Sequence, residues 1–326
     1  MTQNPLYQSL TTLTPHELHL KSCYEKGSLP SFPSDVPFLL TEEMFFPSNS
    51  RQNITVLKHQ CYSPIQTHSH DFFEVIYVLK GQSQHEIGIR HSQLNTGDLC
   101  ILPPGSAHNI HVYDDSAILD ILIRRSAFEK VFSSLMDSDN ILTSFFTGAI
   151  YAAGANDYII FHTGQDQALQ SLILDMYQEC CSQEKYYEML LDTQLAMLFA
   201  RLLRSYESSC ELPPFQSRSE SQIFGMIQYM NRNYQKISLK DLAEKFHYTP
   251  TYTSKRIHEA TGRTFSALLA QIRMEHAARL LKSTTLTVGE IGLQTGYTTP
   301  EHFIRTFKKH FHITPNEYRK SFSISY

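Results

Sequence analysis

The chain contains 326 residues, of which 41% are hydrophobic and 18% charged, a composition typical of a globular protein and not of a disordered one. No apolar run approaches the roughly 18 residues of a membrane span, and the N-terminus lacks the pattern of a secretory signal, so we expect a cytoplasmic protein without membrane contact. The formal net charge of −4 hides a basic segment, since residues 221–326 carry 15 Lys and Arg against 7 Asp and Glu, while residues 1–220 carry 13 against 25.

Residues 40–125 are predicted to form an antiparallel β-structure. Short apolar runs, such as FFEVIYVL (72–79), LCIL (99–102) and AILDILI (117–123), are separated by turns rich in glycine and proline. Strands of this length and spacing are typical of a sandwich or a barrel.

The pattern becomes helical after residue 125. We expect a helix at 126–136, a short strand at 158–162, and two amphipathic helices at 165–181 and 185–206 whose leucines recur every three or four residues. We interpret segment 126–207 as a packing and dimerisation segment that forms a homodimer. The alternative is that these helices only cover the β-structure.

Residues 208–221 are polar and contain two prolines, which predicts a linker. Residues 222–322 are then predicted to form an all-α domain. Ser238 and Thr287 each precede a short helical stretch and are each followed, three positions later, by an acidic residue. This spacing is that of a capping box, in which the two side chains satisfy the first free backbone N–H groups of a helix.

Each of these short helices is followed by a turn and a second helix that opens with Thr-Pro, at 249–250 and at 299–300. A helix-turn-helix pattern is therefore predicted twice, at 239–260 and at 288–310. The helical stretch 264–283 joins the two units and is about 30 Å long at 1.5 Å per residue. This length is close to the roughly 34–36 Å between successive major grooves on one face of B-DNA, so one chain could occupy two adjacent grooves.

Four motifs mark residues 238–320. They are R-x-x-x-A-x-x-L-L from Arg273 to Leu281, E-I-G-x-x-x-G-Y from Glu290 to Tyr297, F-x-R-x-F-K-K from Phe303 to Lys309, and T-P-x-E-Y-R from Thr314 to Arg319. In order and spacing they resemble the DNA-binding domain of the AraC/XylS family of bacterial transcriptional regulators. The resemblance implies double-stranded promoter DNA and RNA polymerase as partners, and the basic C-terminal segment agrees with it. The chain departs from the family pattern at four positions: Thr253, Arg256, Gly292 and His312.

Helix geometry indicates which side chains would read DNA. In the first unit we expect Tyr252 and Ile257 to face the core, and in the second unit Phe303 and Phe307. The residues expected to face DNA are Thr251, Ser254, Lys255, His258, Glu301, His302, Arg305, Lys308 and Lys309. Arg305 is the candidate for a bidentate contact to guanine, whereas Lys255, Lys308 and Lys309 are expected to contact phosphates.

A second constellation lies in the β-structure. His68-x-His70-x3-Glu74-x6-Gly81 is followed by Gly97-x5-Pro103-x-Gly105-x2-His108. These patterns resemble the two motifs of the cupin superfamily, a small double-stranded β-barrel. The first motif usually begins with a glycine where Tyr62 stands, and the second usually ends with an asparagine where Val112 stands. The resemblance implies that the four matching residues (His68, His70, Glu74 and His108) line the interior of the barrel.

In cupin enzymes the residues at these four positions bind a divalent metal, so two interpretations compete. Either the barrel holds a catalytic metal and the chain is a metalloenzyme carrying a DNA-binding domain, or the four residues bind a small effector. We favour the effector, and we predict no catalytic residues, no metal and no cofactor. The six cysteines have no zinc-binding spacing either. The effector is predicted to be a sugar or another small metabolite, because histidines and aromatic residues near the barrel suit a polyhydroxylated ligand.

The sequence therefore predicts a multidomain α+β fold. It comprises an N-terminal cupin-like β-barrel, a helical middle segment, and a C-terminal all-α domain with two helix-turn-helix units joined by a long helix. The predicted function is sequence-specific DNA binding by a transcriptional regulator, an activator, that responds to an effector. A constitutive architectural DNA binder is disfavoured, because such a protein has no use for a sensor-sized domain.

Overall fold

The computed structural model describes residues 4–29, 38–46, 52–63, 67–88, 90–133, 158–211 and 218–322. These residues form two compact units, one before and one after the segment near residue 214. The N-terminal unit is rich in β-sheet and the C-terminal unit is helical, which confirms the α+β fold class. Residues 134–136 of the helix predicted at 126–136, and residues 212–217 of the predicted linker, lie outside the described residues. Within the described part of the chain, no helix is long and apolar enough to cross a membrane.

In the part of the N-terminal unit that the structure describes, the strands form two five-stranded sheets. The first has the order β1-β3-β8-β5-β6 and the second has the order β10-β7-β4-β9-β2. Only β1 and β3 are parallel among these pairs. The strands are β1 (Phe38–Leu40), β2 (Ile54–Lys58), β3 (His68–His70), β4 (Phe73–Lys80), β5 (Gln82–Ile87), β6 (Arg90–Asn95), β7 (Asp98–Leu102), β8 (His108–His111), β9 (Ala117–Ile123) and β10 (Ile159–His162).

The core lies between the sheets, where Ile87 and Ile110 of the first sheet join one buried cluster with Ile76 and Ile118 of the second. The other face of the second sheet is covered by helices, since Phe73 of β4 stacks on Phe128 at 3.6 Å between ring centroids. Burial on both faces explains why β4 reads as an almost continuous apolar run instead of alternating.

The described residues of the N-terminal unit form six helices: α1 (Pro5–Thr11), α2 (Pro15–Glu25), α3 (Glu42–Phe45), α4 (Arg125–Ser133), α5 (Gln167–Ser182) and α6 (Tyr187–Tyr206), the last followed by a 3-10 turn at Glu207–Ser209. The last two lie within two residues of the helices predicted from leucine spacing. The first two were not predicted.

The C-terminal unit is helical throughout its described residues. Its helices are α7 (Arg218–Arg232), α8 (Leu239–Lys245), α9 (Pro250–Thr261), α10 (Phe265–Ser283), α11 (Val288–Gln294), α12 (Pro300–Phe311) and α13 (Pro315–Phe322). The predicted capping boxes are confirmed, because Ser238 with Asp241 and Thr287 with Glu290 make both reciprocal hydrogen bonds. The first helix of each pair, α8 in α8–α9 and α11 in α11–α12, thus begins at a capped residue.

Candidate functional sites

The four predicted effector residues come together between the two sheets. His68 and His70 lie on β3, Glu74 lies on β4 of the other sheet, and His108 begins β8. His68 and His108 are paired across adjacent strands, and their ring centroids are 4.2 Å apart. We name these four residues the His–Glu cluster.

Backbone carbonyls orient two of the imidazoles. The Nδ1 atom of His70 lies 2.6 Å from the carbonyl oxygen of Phe72, and the Nδ1 atom of His108 lies 3.3 Å from that of Ser106. An Nδ1–H that donates to a carbonyl leaves Nε2 to face the interior. These Nε2 atoms lie 3.4 Å (His70) and 3.1 Å (His108) from the same oxygen, Oε2 of Glu74.

The carboxylate of Glu74 is therefore held in its charged form. Burial alone raises its pKa, but hydrogen bonding and attraction from His108 and His70 outweigh burial and hold the pKa of Glu74 well below its ordinary value. A buried carboxylate beside imidazole nitrogens can accept hydrogen bonds from hydroxyl groups and repels a second anion.

The same donors also fit a metal ion. One nitrogen each of His68 and His108 and one oxygen of Glu74 all lie within 4.8 Å of one another. Imidazole and carboxylate groups are suitable ligands for a divalent transition metal. These three residues would hold such a metal, and the metal would act there as a Lewis acid.

His85 of β5 belongs to the same interior. Its ring centroid lies 5.4 Å from that of His108, and neither of its ring nitrogens has a hydrogen-bond partner among the described residues. Burial, with a smaller effect from His108, lowers the pKa of His85 well below its ordinary value, so the ring is neutral. Ser83 lies two positions earlier on the same face of the strand, and its buried hydroxyl also lacks a hydrogen-bond partner in the part of the chain that the structure describes.

A hydrogen-bonded pair, His59 and Asp120, also lies in this interior and was missed by the sequence analysis. Nδ1 of His59 lies 2.8 Å from Oδ2 of Asp120. Although burial opposes it, attraction to Asp120 raises the pKa of His59. The signal for Asp120 was available, because it is the single charged residue in the apolar run AILDILI.

The predicted DNA-facing residues lie on α9 and α12. Eight of these nine residues are exposed, and the ninth, Ser254 of α9, is half-buried. Phe303 and Phe307 are fully buried on the opposite side of α12, as predicted. On α9, Ile257 is buried as predicted.

The orientation predicted for Tyr252 is wrong. Tyr252 is 44% exposed, and Thr253 is fully buried instead. The reason lies in the helix register, because the buried positions of α9 are 253, 257 and 261, at steps of four. Counted from the Thr-Pro pairs that open the two helices, Tyr252 occupies the position of His302 on α12. The ring of Tyr252 packs against Tyr248, and that of His302 against Tyr297.

Both regions match known protein families. Residues 59–217 match the AraC-like ligand binding domain, and residues 242–321 match a helix-turn-helix domain. The Lactose operon transcription activator of Staphylococcus xylosus is 37% identical over 100 residues, which are 30% of this chain and 36% of that protein. The HTH-type transcriptional activator RhaR of Mannheimia succiniciproducens is 23% identical over 271 residues, which are 82% of this chain and 92% of that protein.

Among solved structures, the C-terminal domain of AraT, a response regulator from Geobacillus stearothermophilus, is 37% identical over 33% of this chain and 92% of that chain, with a TM-score of 0.32. The two family matches occur in the order and in the regions that the motifs indicated. Two relatives that align along most of this chain are named as transcriptional activators. The chain belongs to the AraC family of transcriptional regulators, with an N-terminal ligand-binding domain and a C-terminal helix-turn-helix domain.

Proposed function

We propose that the protein activates transcription by placing two helix-turn-helix units, residues 239–260 and 288–310, in adjacent major grooves of promoter DNA. The observation that carries this proposal is the equivalence of the two units. Lys255 and Arg305 occupy the same helical position, as do His258 and Lys308, and the side chains of all four are exposed. The connecting helix α10 has 19 residues, or about 28 Å, which suits the distance between grooves.

The reading residues are Thr251, Ser254, Lys255 and His258 of the first unit with Glu301, His302, Arg305, Lys308 and Lys309 of the second. Residues near the start of each helix are placed to reach base edges, and the lysines are placed to reach phosphates. The guanidinium of Arg305 presents two parallel donors, which match O6 and N7 of guanine.

The N-terminal residues 40–125 act as a cupin-like barrel whose His–Glu cluster binds the effector. Imidazole nitrogens and a charged carboxylate match the hydroxyl groups of a carbohydrate, whereas Glu74 would repel an anionic metabolite. A relative named for a lactose operon supports a sugar as the effector class. In this proposal the cluster binds and does not catalyse, so the protein is not an enzyme and needs no cofactor.

The helical segment 126–207 forms a homodimer through α6. Its exposed residues Leu190, Thr193, Met197, Ala200 and Arg204 follow alternating steps of three and four, the spacing of a coiled-coil seam. Glu188 lies at one end of this helix and Arg201 and Arg204 at the other, so an antiparallel second copy would pair opposite charges. Replacing Leu190 and Met197 by glutamate should yield a monomer in light scattering, whereas Asp175→Glu on α5 should leave the dimer intact.

The proposed place of action is the bacterial cytoplasm, at the nucleoid, where a promoter-bound dimer can contact RNA polymerase. The DNA-binding proposal is tested by selecting duplexes from a random library with the full chain. We expect enrichment of two half-sites about 10–10.5 base pairs apart. Failure to enrich any sequence would contradict the proposal.

Arg305→Ala then tests the readout. We expect a loss of affinity of about 1–3 kcal/mol and a relaxed preference at one base pair of the selected duplex. Arg305→Lys is the matched control, because lysine keeps the charge but not the bidentate fork, so it should retain more affinity and still relax that preference. An unchanged preference in Arg305→Ala would remove Arg305 from the reading set.

The alternative function, a metalloenzyme, is favoured by the fit of the His–Glu cluster to a divalent ion. Elemental analysis of the purified protein distinguishes the two. Stoichiometric metal that is lost in His108→Ala, together with turnover of a substrate, would favour the enzyme. Effector binding that persists after chelation would favour the sensor.

A further inference from the structure

One side chain on the exposed face of α12 differs in chemistry from its neighbours. After Pro300 at its start, the exposed residues of this helix are polar or charged (Glu301, His302, Arg305, Lys308, Lys309 and His310) with the exception of Ile304, which is 38% exposed. Scattered apolar residues are common on protein surfaces, so the exposure of Ile304 alone indicates nothing. Its position is what carries the inference.

Ile304 lies within the surface proposed to face DNA. It is three residues after Glu301 and four before Lys308, so it is a neighbour of both on the helix surface, and it is adjacent in sequence to Arg305. The core does not require it, because Phe303 and Phe307 are fully buried and fill the inner side of α12. A β-branched apolar group therefore projects among charged residues of the surface proposed to face DNA.

We propose that Ile304 is a specificity-determining residue that contacts the C5-methyl group of a thymine beside the base read by Arg305. The major groove presents one apolar group to a protein, the thymine methyl, and apolar side chains are its usual partners. Contact would remove the exposed surface of Ile304 and of the methyl from water, which favours thymine over cytosine at that position. The inference rests on the proposed DNA-binding function of α12.

The two helix-turn-helix units then differ in the bases that they recognise. Counted from the Thr-Pro pairs, the residue of α9 equivalent to Ile304 is Ser254, which is polar and half-buried. A serine hydroxyl can contact hydrogen-bond donors or acceptors on several bases, whereas an isoleucine side chain prefers the methyl group of thymine. The second half-site should therefore contain a thymine contact that the first half-site lacks.

Uracil substitution tests the proposal, because uracil pairs as thymine does but lacks the methyl group. The probe is the duplex selected with the full chain, and the half-site of the second unit is the one whose preference relaxes in Arg305→Ala. Each thymine there is replaced singly by uracil. We expect one substitution to weaken binding about fourfold, which corresponds to the roughly 0.8 kcal/mol of one buried methyl group.

Ile304→Ala should bind the thymine and uracil duplexes equally, while Ser254→Ala, the matched control in the first unit, should keep the fourfold difference. Thermal melting of each variant checks that it is folded. Any of three results would overturn the proposal. The unmodified protein could tolerate uracil at every position, Ile304→Ala could still bind the uracil duplex more weakly than the thymine duplex, or the selected half-site could contain no thymine. Failure of the underlying function is distinct, since no duplex would then be enriched.

Discussion

Thr253 is fully buried in α9, and its hydroxyl oxygen has no hydrogen-bond partner among the described residues. A buried polar atom without a partner loses its contacts with water and gains nothing in return. The position usually carries an apolar residue in the family that the motifs resemble, and the α12 equivalent is Phe303. The first helix pair thus buries an unpaired polar atom where the second buries an aromatic ring.

Thr253→Val should stabilise the protein, because it removes the unpaired hydroxyl and keeps the branched shape. We expect the free energy of unfolding to rise by about 1 kcal/mol, measured by urea denaturation of the full chain. Thr251→Val, an exposed change on the same helix, should leave it nearly unchanged. A fall in the urea midpoint of Thr253→Val would show that the hydroxyl is satisfied.

His85 should make the stability of the protein depend on pH. Its pKa lies well below 6.5 in the folded protein and near 6.5 in the unfolded chain, so the unfolded chain binds more protons in this range. Stability should therefore fall as the pH falls below about 6.5, with a slope of at most about 1.4 kcal/mol per pH unit from this residue. Groups whose pKa is raised on folding, such as His59, have the opposite effect on the pH dependence of stability.

Because several groups titrate together, the informative quantity is the difference between variants. His85→Phe should flatten the decline in unfolding free energy between pH 7 and pH 5, whereas His91→Phe, at an exposed position of β6, should not. Parallel pH profiles for the unmodified protein and His85→Phe would contradict a neutral, buried His85.

Arg273 of the connecting helix α10 joins three elements. Its guanidinium donates to the carbonyl oxygens of Tyr234 at 2.8 Å and Gln235 at 3.1 Å, and it lies over the ring of Tyr297. Helix α10 is therefore anchored both to the loop before α8 and to the turn after α11. The arginine of the R-x-x-x-A motif has this structural role.

Gly296 sits in the turn beside this anchor with a φ of +86°. A Cβ atom there would lie 2.9 Å from the Arg273 guanidinium and even closer to the carbonyl oxygen of Gln235. Gly296→Ala should therefore lower the free energy of unfolding by more than the roughly 1–2 kcal/mol that a left-handed backbone costs alanine. Gly262→Ala measures that backbone cost alone, since no atom of another described residue beyond its chain neighbours lies within 4 Å of its Cβ position. Equal losses in the two variants would contradict the steric clash.

Elements whose signals are local could be predicted from the sequence. The capping boxes at Ser238 and Thr287 marked two helices correctly, because cap and partner are three residues apart. The same signal at Thr14-Pro15 and Glu17 was present and was overlooked, so α2 was missed. The spacing of the cupin-like motifs predicted the four residues of the His–Glu cluster. The pairing of Asp120 with His59 could not be predicted in this way, because it joins residues 61 positions apart and depends on sheet register, which local patterns do not encode. The domain boundaries and the roles of the site residues stay predictions.

At the scale of the whole molecule, the N-terminal and C-terminal units differ in their charge and in their candidate binding residues. The basic charge is concentrated after residue 220, where the helix pairs lie, and the buried polar groups of the His–Glu cluster lie in the other unit. A regulator needs these two sites to be energetically linked, since an effector acts only through different affinities for the two states of the protein. Linkage is reciprocal, so DNA must change effector affinity by the factor by which effector changes DNA affinity.

Calorimetry measures this link directly. A thermal-shift screen of sugars against the full chain supplies the ligand, and the selected duplex supplies the DNA. We expect sugar affinity to differ by about 5- to 150-fold between titrations with and without saturating duplex, and the double variant His68→Ala with His108→Ala to lose sugar binding while keeping DNA binding. Equal sugar affinities in the two titrations would show that the N-terminal unit does not control DNA binding, and would contradict the account of this protein as an effector-responsive regulator.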